Sequence, residues 1–155
     1  MQTSSRLSTA THMMILIYML GDKHRLTSES IAKSVQVNPV MIRRLLGSLK
    51  EAGLVSVAPG KGGAKALKNA EEVTLWDLYA AVEAPAEECV FGFHDCDRSH
   101  CPVAKNMHAV LDKHLQDAQD AMRESLQKVT MADICRDMIQ ERGVTAEKLL
   151  VRLDV

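Results

Sequence analysis

The stretch Asn38–Ala64, NPVMIRRLLGSLKEAGLVSVAPGKGGA, decides the fold. Asn38 offers a side-chain oxygen to the free amides of a helix start, and Pro39 suits the first helical position, where no N–H is needed. Ile42, Leu45, Leu46 and Leu49 then recur at spacings of three and four, which predicts a helix to about Ala52, with Gly53 ending it. Leu54 to Ala58 alternates apolar and polar residues as a strand does. Pro59-Gly60-Lys61-Gly62-Gly63 supplies a turn, and Ala64 to Lys68 returns as a second strand.

Upstream, Leu7 to Leu20 carries a helical stripe at Met13, Leu16, Ile17 and Leu20 and stops at Gly21. Thr27 or Ser28 can cap a short helix through Val35, with Ile31, Ala32 and Val35 inward. The order helix, helix, helix, hairpin is that of a winged helix-turn-helix, a mainly α fold with a small β-hairpin wing. Downstream, Thr74 to Glu83 reads as a short helix, followed by an irregular stretch from Ala84 to His100. A long helix begins at Cys101-Pro102. Its apolar stripe is Val103, Met107, Val110, Leu111, Leu115, Ala118, Met122, Leu126 and Val129. At ~1.5 Å per residue such a helix spans about 40 Å, more than this chain can cover, so the stripe is expected to pack on a second copy. The division is therefore 1–83, a DNA-binding domain; 84–101, a cysteine-containing sensor-like loop; 102–130, a dimerisation helix; and 131–155, a helical tail broken at Gly143 with no assigned role.

Composition agrees with this order. Among 155 residues, 46% are hydrophobic but only 3% aromatic, so Met, Leu, Val and Ala do most of the packing, as in helical proteins. The net charge of −1 conceals a division. Residues 1–68 hold ten Lys/Arg against three Asp/Glu, and residues 69–155 hold nine against seventeen, giving +7 and −8. A basic half points to a polyanion, and double-stranded DNA is the partner expected. The apolar run Met13–Leu20, eight residues long, is too short to span a bilayer, so a soluble, cytoplasmic protein is expected. No Gly-rich phosphate loop, triad order or paired carboxylate supports an enzyme.

In a winged helix-turn-helix the third helix enters the major groove and its first turns face base edges. Those positions hold Asn38, Val40, Met41, Arg43, Arg44 and Ser48, with Ser28 at the start of the preceding helix. Neighbours on a helix diverge by about 100°, so Arg43 and Arg44 are given to different targets, one a guanine edge and one a phosphate. Lys61 and Gly62 form the wing tip, and Arg6, Lys65 and Lys68 extend the basic footprint. The plainer reading makes these residues a solvated face. The alternative function is a winged-helix protein-interaction module without DNA specificity.

Cys89, Cys96 and Cys101 crowd before the long helix, and three readings stand. With His94, His100, Asp95 or Asp97 as fourth ligand they can hold an iron–sulfur centre or zinc. Cys101 alone, as N-cap, is placed where helix amides favour a thiolate and hence redox sensing. Otherwise the thiols pack as small hydrophobes, the reading given to Cys135 in the tail. The histidines His12, His24, His108 and His114 are read as surface or partly buried groups.

With these residues located, the chain resembles the Rrf-two (Rrf2) family of bacterial transcription regulators, the group of IscR, NsrR and CymR, toward its YwnA-like branch. The resemblance rests on Ser5-Arg6-Leu7, Asn38-Pro39-Val40, Arg43-Arg44-Leu45, Leu49 to Val55, Gly60 to Ala64, Leu75 to Tyr79 and Cys101-Pro102-Val103. It implies a homodimer joined through the long helix, bound to a palindromic operator and repressing. Iron–sulfur members space their three cysteines by five and five residues; here the intervals are six and four, a departure from that pattern. Oxidation, or gain or loss of a ligand, in the loop is expected to shift the dimer helix and so the spacing of the two recognition helices.

Overall fold

The computed structural model describes residues 4–58, 63–83, 91 and 101–153. Its centre is α1 (Arg6–Leu20), in which Ala10, Met13, Met14, Ile15, Leu16, Ile17 and Leu20 are all buried. The sequence suggested one inward stripe; the helix is instead covered on several sides. Four elements lean on it: α2 (Ser28–Val35), the strand β2 (Gly63–Ala66), α4 (Leu75–Val82) and α6 (Met131–Gln140). Between them lie α3 (Pro39–Glu51), β1 (Val55–Ala58) and a 3₁₀ turn at Ala70–Glu72 that the sequence reading did not contain. The fold is thus a winged helix-turn-helix, helical apart from one hairpin.

The hairpin pairs Val55 with Ala66 and Ala58 with Gly63 in antiparallel register. It is stitched to the body by Ala64 N–H, which donates to the Leu26 carbonyl at 2.9 Å. That approach needs Gly63, whose φ is +71° and whose added Cβ would stand 2.8 Å from the Leu26 oxygen. The tip, including Lys61 and Gly62, lies outside the described residues.

The tail is part of this body. Met131 is fully buried, α6 packs on α1 and the 3₁₀ turn, and α7 (Ala146–Leu153) packs on α2. Thr74 and Thr130 start α4 and α6 with the same device, each capping through an Asp three residues on. The two starts are bound back to back. Leu75 N–H donates to the Val129 carbonyl at 2.9 Å, and Met131 N–H donates to Val73 at 2.8 Å. Val129, expected within the long helix, lies past its end and serves this joint instead.

The long helix α5 (Pro102–Gln127) behaves differently, for none of its residues is buried. Val103 and Val110 are 65% and 66% exposed. Near its far end it meets α4, where the Arg123 guanidinium lies 5.3 Å over the Trp76 ring and Trp76 stacks on Tyr79. Among the described residues no helix is long and apolar enough to cross a membrane.

Burial of Met131 beneath α1 means that Met131→Ala should lower unfolding free energy by roughly 2–5 kcal/mol. Urea denaturation checks this, and a loss near zero would show the tail to be separable from the core.

Candidate nucleic-acid interface

Local chemistry fixes both helices that present the surface. Thr27 is the cap of α2: its Oγ1 accepts from Ser30 N–H at 3.1 Å, and its own N–H donates to Ser30 Oγ at 2.9 Å. Ser28 is therefore the first helical residue, not the cap. Gln36 closes α2 in the left-handed region at φ 57°, a position more often given to Gly or Asn. Asn38 Oδ1 then accepts from Val40 N–H at 2.8 Å, so the cap of α3 stands two residues after that of α2. At its other end Gly53 and Leu54 donate back to Lys50 and Leu49 at 3.0 and 2.9 Å, the paired bonds of a Schellman ending.

Burial of Ile42, Leu45, Leu46 and Leu49 turns the opposite face of α3 outward. Val40 is 54% exposed, Met41 lies at the margin, and Arg43 and Arg44 are exposed. The two arginines are separated onto opposite flanks, as their helical offset requires. Arg43 joins Ser28, Arg25 and Lys50 along a groove of about 470 Å³ between α2, α3 and the hairpin. Arg44 joins Arg6, Met41 and Ser48 along a second groove of about 340 Å³. Lys65 is exposed on β2, and Asn38, whose side-chain oxygen is engaged as a cap, has a structural duty beside any contact with DNA.

Three residues of this surface were missed from sequence. Lys50 stands seven residues, two helical turns, beyond Arg43, a spacing that would have found it. Arg25 precedes the Thr27 cap in a loop, where direction is set by tertiary packing. Glu29 is the third: its Oε1 lies 3.7 Å from Arg43 Nη1. Its own backbone amide and the Ser28 hydroxyl hold the Glu29 carboxyl below the usual carboxylate range, so it stays ionised beside that guanidinium. Gly47 faces the same groove, and a Cβ there would meet nothing within 4 Å.

Of the sensor candidates, Cys101 is described; Cys89, Cys96, His94 and His100 lie outside the described residues, as do Asp95 and Asp97. Cys101 is exposed at the N-cap of α5. The backbone amides of Ala104 and Val103 hold its thiol below the ordinary value, the effect expected of a helix start. Burial pushes the Cys135 thiol the other way, in keeping with its packing against the core. Among the described residues no group of three or more His, Cys, Asp and Glu is placed to hold a metal ion.

Comparison with known proteins agrees with this geometry. Residues 3–137 match the Rrf2 family, described as an iron-dependent transcriptional regulator. Over 131 residues the chain is 34% identical to the Bacillus subtilis protein named as the HTH-type transcriptional regulator YwnA, covering 84% of this chain and 95% of that one. A crystal structure titled as a DNA binding protein superposes with a TM-score of 0.67 at 32% identity, over 84% of this chain and 98% of the other. CymR of Bacillus subtilis, titled the global cysteine regulator, has the same fold, with a TM-score of 0.63 at 20% identity over 88% of this chain and 97% of its own.

The opposite shifts of the two described thiols lead to a measurable order of reactivity. Alkylation followed by peptide mapping across a pH series should place the half-maximal rate of Cys101 below the ordinary thiol value and that of Cys135 above it. Equal profiles would remove the electrostatic distinction between them.

Proposed function

Because the chain belongs to the Rrf2 family of DNA-binding transcriptional regulators, we propose that it works as a cytoplasmic homodimeric repressor, without enzymatic activity, on a palindromic operator. The observation that carries this is the outward face of α3, flanked on both sides by basic grooves. A helix so placed fits the major groove, with the flanking cations on phosphates. Arg43, restrained by Glu29, is the base reader in this proposal, since a carboxylate that fixes a guanidinium preorganises its bidentate approach to guanine. Arg44, beside Arg6 and Ser48, takes phosphate. Lys61, Gly62 and Lys65 carry the wing along the backbone.

Dimerisation is assigned to α5. Val103, Val110 and Leu111 leave an apolar stripe in water along a 26-residue helix, and a second copy related by a two-fold axis covers it with the same stripe. That arrangement sets two α3 helices at a fixed separation, the requirement for reading a two-fold operator.

Control is assigned to the thiol of Cys101. A peroxide-class oxidant is attacked by the thiolate; the S–O bond forms as the O–O bond breaks, and the leaving hydroxide takes a proton to become water. The resulting sulfenic acid loses the negative charge that the α5 amides favour. The helix then repositions against α4 through the Arg123–Trp76 contact, and α4 packs on both α1 and α3. An iron–sulfur centre or zinc, if bound, would be held by Cys101 together with Cys89 and Cys96, which lie outside the described residues.

Two measurements test the DNA half. On a duplex selected from a random pool, Arg43→Ala should cost about 1–3 kcal/mol of discrimination against random duplex. Arg44→Ala should weaken both duplexes and lower the slope of log K against log salt by about 1. If the parent chain shows no salt-dependent binding to duplex DNA, the protein-interaction reading replaces this one; if both variants bind as the parent does, the DNA contacts lie elsewhere on the surface. For the dimer, Val110→Glu should convert the sedimenting species to monomer at micromolar concentration while leaving helix content unchanged. A variant that still sediments as the parent places the interface elsewhere.

A further inference from the structure

Gly47 lies in the middle of α3, and nothing described inside the molecule accounts for it. Glycine weakens a helix interior more than any residue except proline, so its presence there asks for a reason. Gly53, Gly63 and Gly143 have one in their left-handed backbone. Gly21 has one in its crowding, since an added Cβ would stand 2.5 Å from the Ile17 oxygen. Gly47 has neither: its backbone is helical, and an added Cβ would meet no atom of the described residues within 4 Å. At ~100° per residue it projects within about 20° of Val40 and between Arg43 and Arg44. That is the midline of the face turned outward by burial of Ile42, Leu45, Leu46 and Leu49. Among the described residues it is the one that both basic grooves share, that of Arg43 and Lys50 and that of Arg44 and Arg6. Along this midline the side chains are short or missing, Val40 at the start and Gly47 two turns on, with the long arginines to either side.

We propose that Gly47 is a specificity-determining residue, a gap on the midline of α3 that lets the helix seat on the floor of the major groove. This rests on the DNA-binding reading above and names what the face of α3 meets at that point. A helix with its side chains is about 10–12 Å across, and the groove is about 12 Å wide. A side chain on the midline therefore props the helix away from the base edges. Without one, the backbone at 47 approaches them closely, and Arg43, one turn earlier, reaches a guanine edge with its bidentate fork. Gly47 thus acts through Arg43, as a positioning residue. Glu51 continues the same line one turn on and is exposed; as an acid it sets the end of the seat, where α3 leaves the groove. A less stable helix and a deeper insertion follow from the same missing Cβ.

The test compares the full chain with Gly47→Ala and Gly47→Leu, two good helix formers with room to stand. Each should raise the urea midpoint of unfolding above the parent's. On a duplex selected by the parent from a random pool, affinity should fall in the order Gly, Ala, Leu. Leu should remove the bidentate contact, a loss of about 5- to 150-fold in discrimination between selected and random duplex. Random-duplex affinity should stay within about twofold in both variants, with its salt slope unchanged, because the flanking cations carry it. The proposal is overturned if either variant lowers the midpoint, which would show that the chain itself fills the gap. It also falls if Leu discriminates as the parent does, or if both duplexes weaken alike, which would put phosphate rather than base edges at 47. A parent that binds no duplex would sink the DNA reading and this inference together. A parent that binds, beside variants that bind identically, would sink this inference alone.

Discussion

Two peptide hydrogen bonds, Leu75 to Val129 and Met131 to Val73, hold together the points where the chain leaves its DNA-presenting body and returns to it. Between those points run α4, the cysteine segment and all of α5. Each bond contributes about 1 kcal/mol in isolation, but their consequence is geometric. They align the starts of α4 and α6 with matching Thr–Asp caps, so the long helix is delivered from a fixed joint. The stacked Trp76 and Tyr79, with Arg123 above Trp76, set the angle at which it departs. A lever of about 39 Å at ~1.5 Å per residue magnifies a small rotation at that joint into displacement at Cys101, and the reverse.

The parts that were legible in the sequence are those decided within a few residues. Asn38-Pro39, the stripe Ile42 to Leu49 and the ending at Gly53 specify α3 through capping, periodicity and a left-handed glycine, and the structure realises each of them. What could not be read depended on partners distant in the chain. The sequence of the tail gave it no role, because the surface on which Ile134 and Met138 pack is supplied by distant parts of the chain, α1 among them. For α1 the error ran the other way: a helix at the centre has no solvent side to contrast with its stripe, so a one-sided reading undercounted its burial. Glu29 likewise gains its significance only because the turn at Gln36 folds α2 back until Arg43 stands beside it.

The division of charge is only partly carried by the helices. Seven of the seventeen acidic residues of the second half fall on α5, α6 and α7, beside six Lys/Arg, while Arg43, Arg44, Lys50 and Lys65 of the first half lie on α3 and β2. The attraction of a polyanion is therefore toward the α3 side. Arg43 differs from the other cations of α3 in having a carboxylate, that of Glu29, 3.7 Å away. Arg44 and Lys50 have no such partner in the described contacts and suit the undirected part of the attraction.

The exposed stripe of α5 bears on all of this. Each large aliphatic side chain left in water forgoes about 1.5–3 kcal/mol of burial, and a two-fold pairing would recover that from both copies at once. Rigid-body association costs roughly 4–15 kcal/mol, so a handful of such side chains from each copy is enough to offset it. A pairing of this kind is non-directional along the stripe and tolerates small slides, whereas the joint at Val73 and Met131 does not. Movement would therefore be taken up between the two α5 helices or between α5 and α4, leaving each DNA-presenting body intact and altering only the distance between the two. In the proposed dimer that distance would be the quantity to control, and Cys101 stands at the start of the helix to which the pairing is assigned.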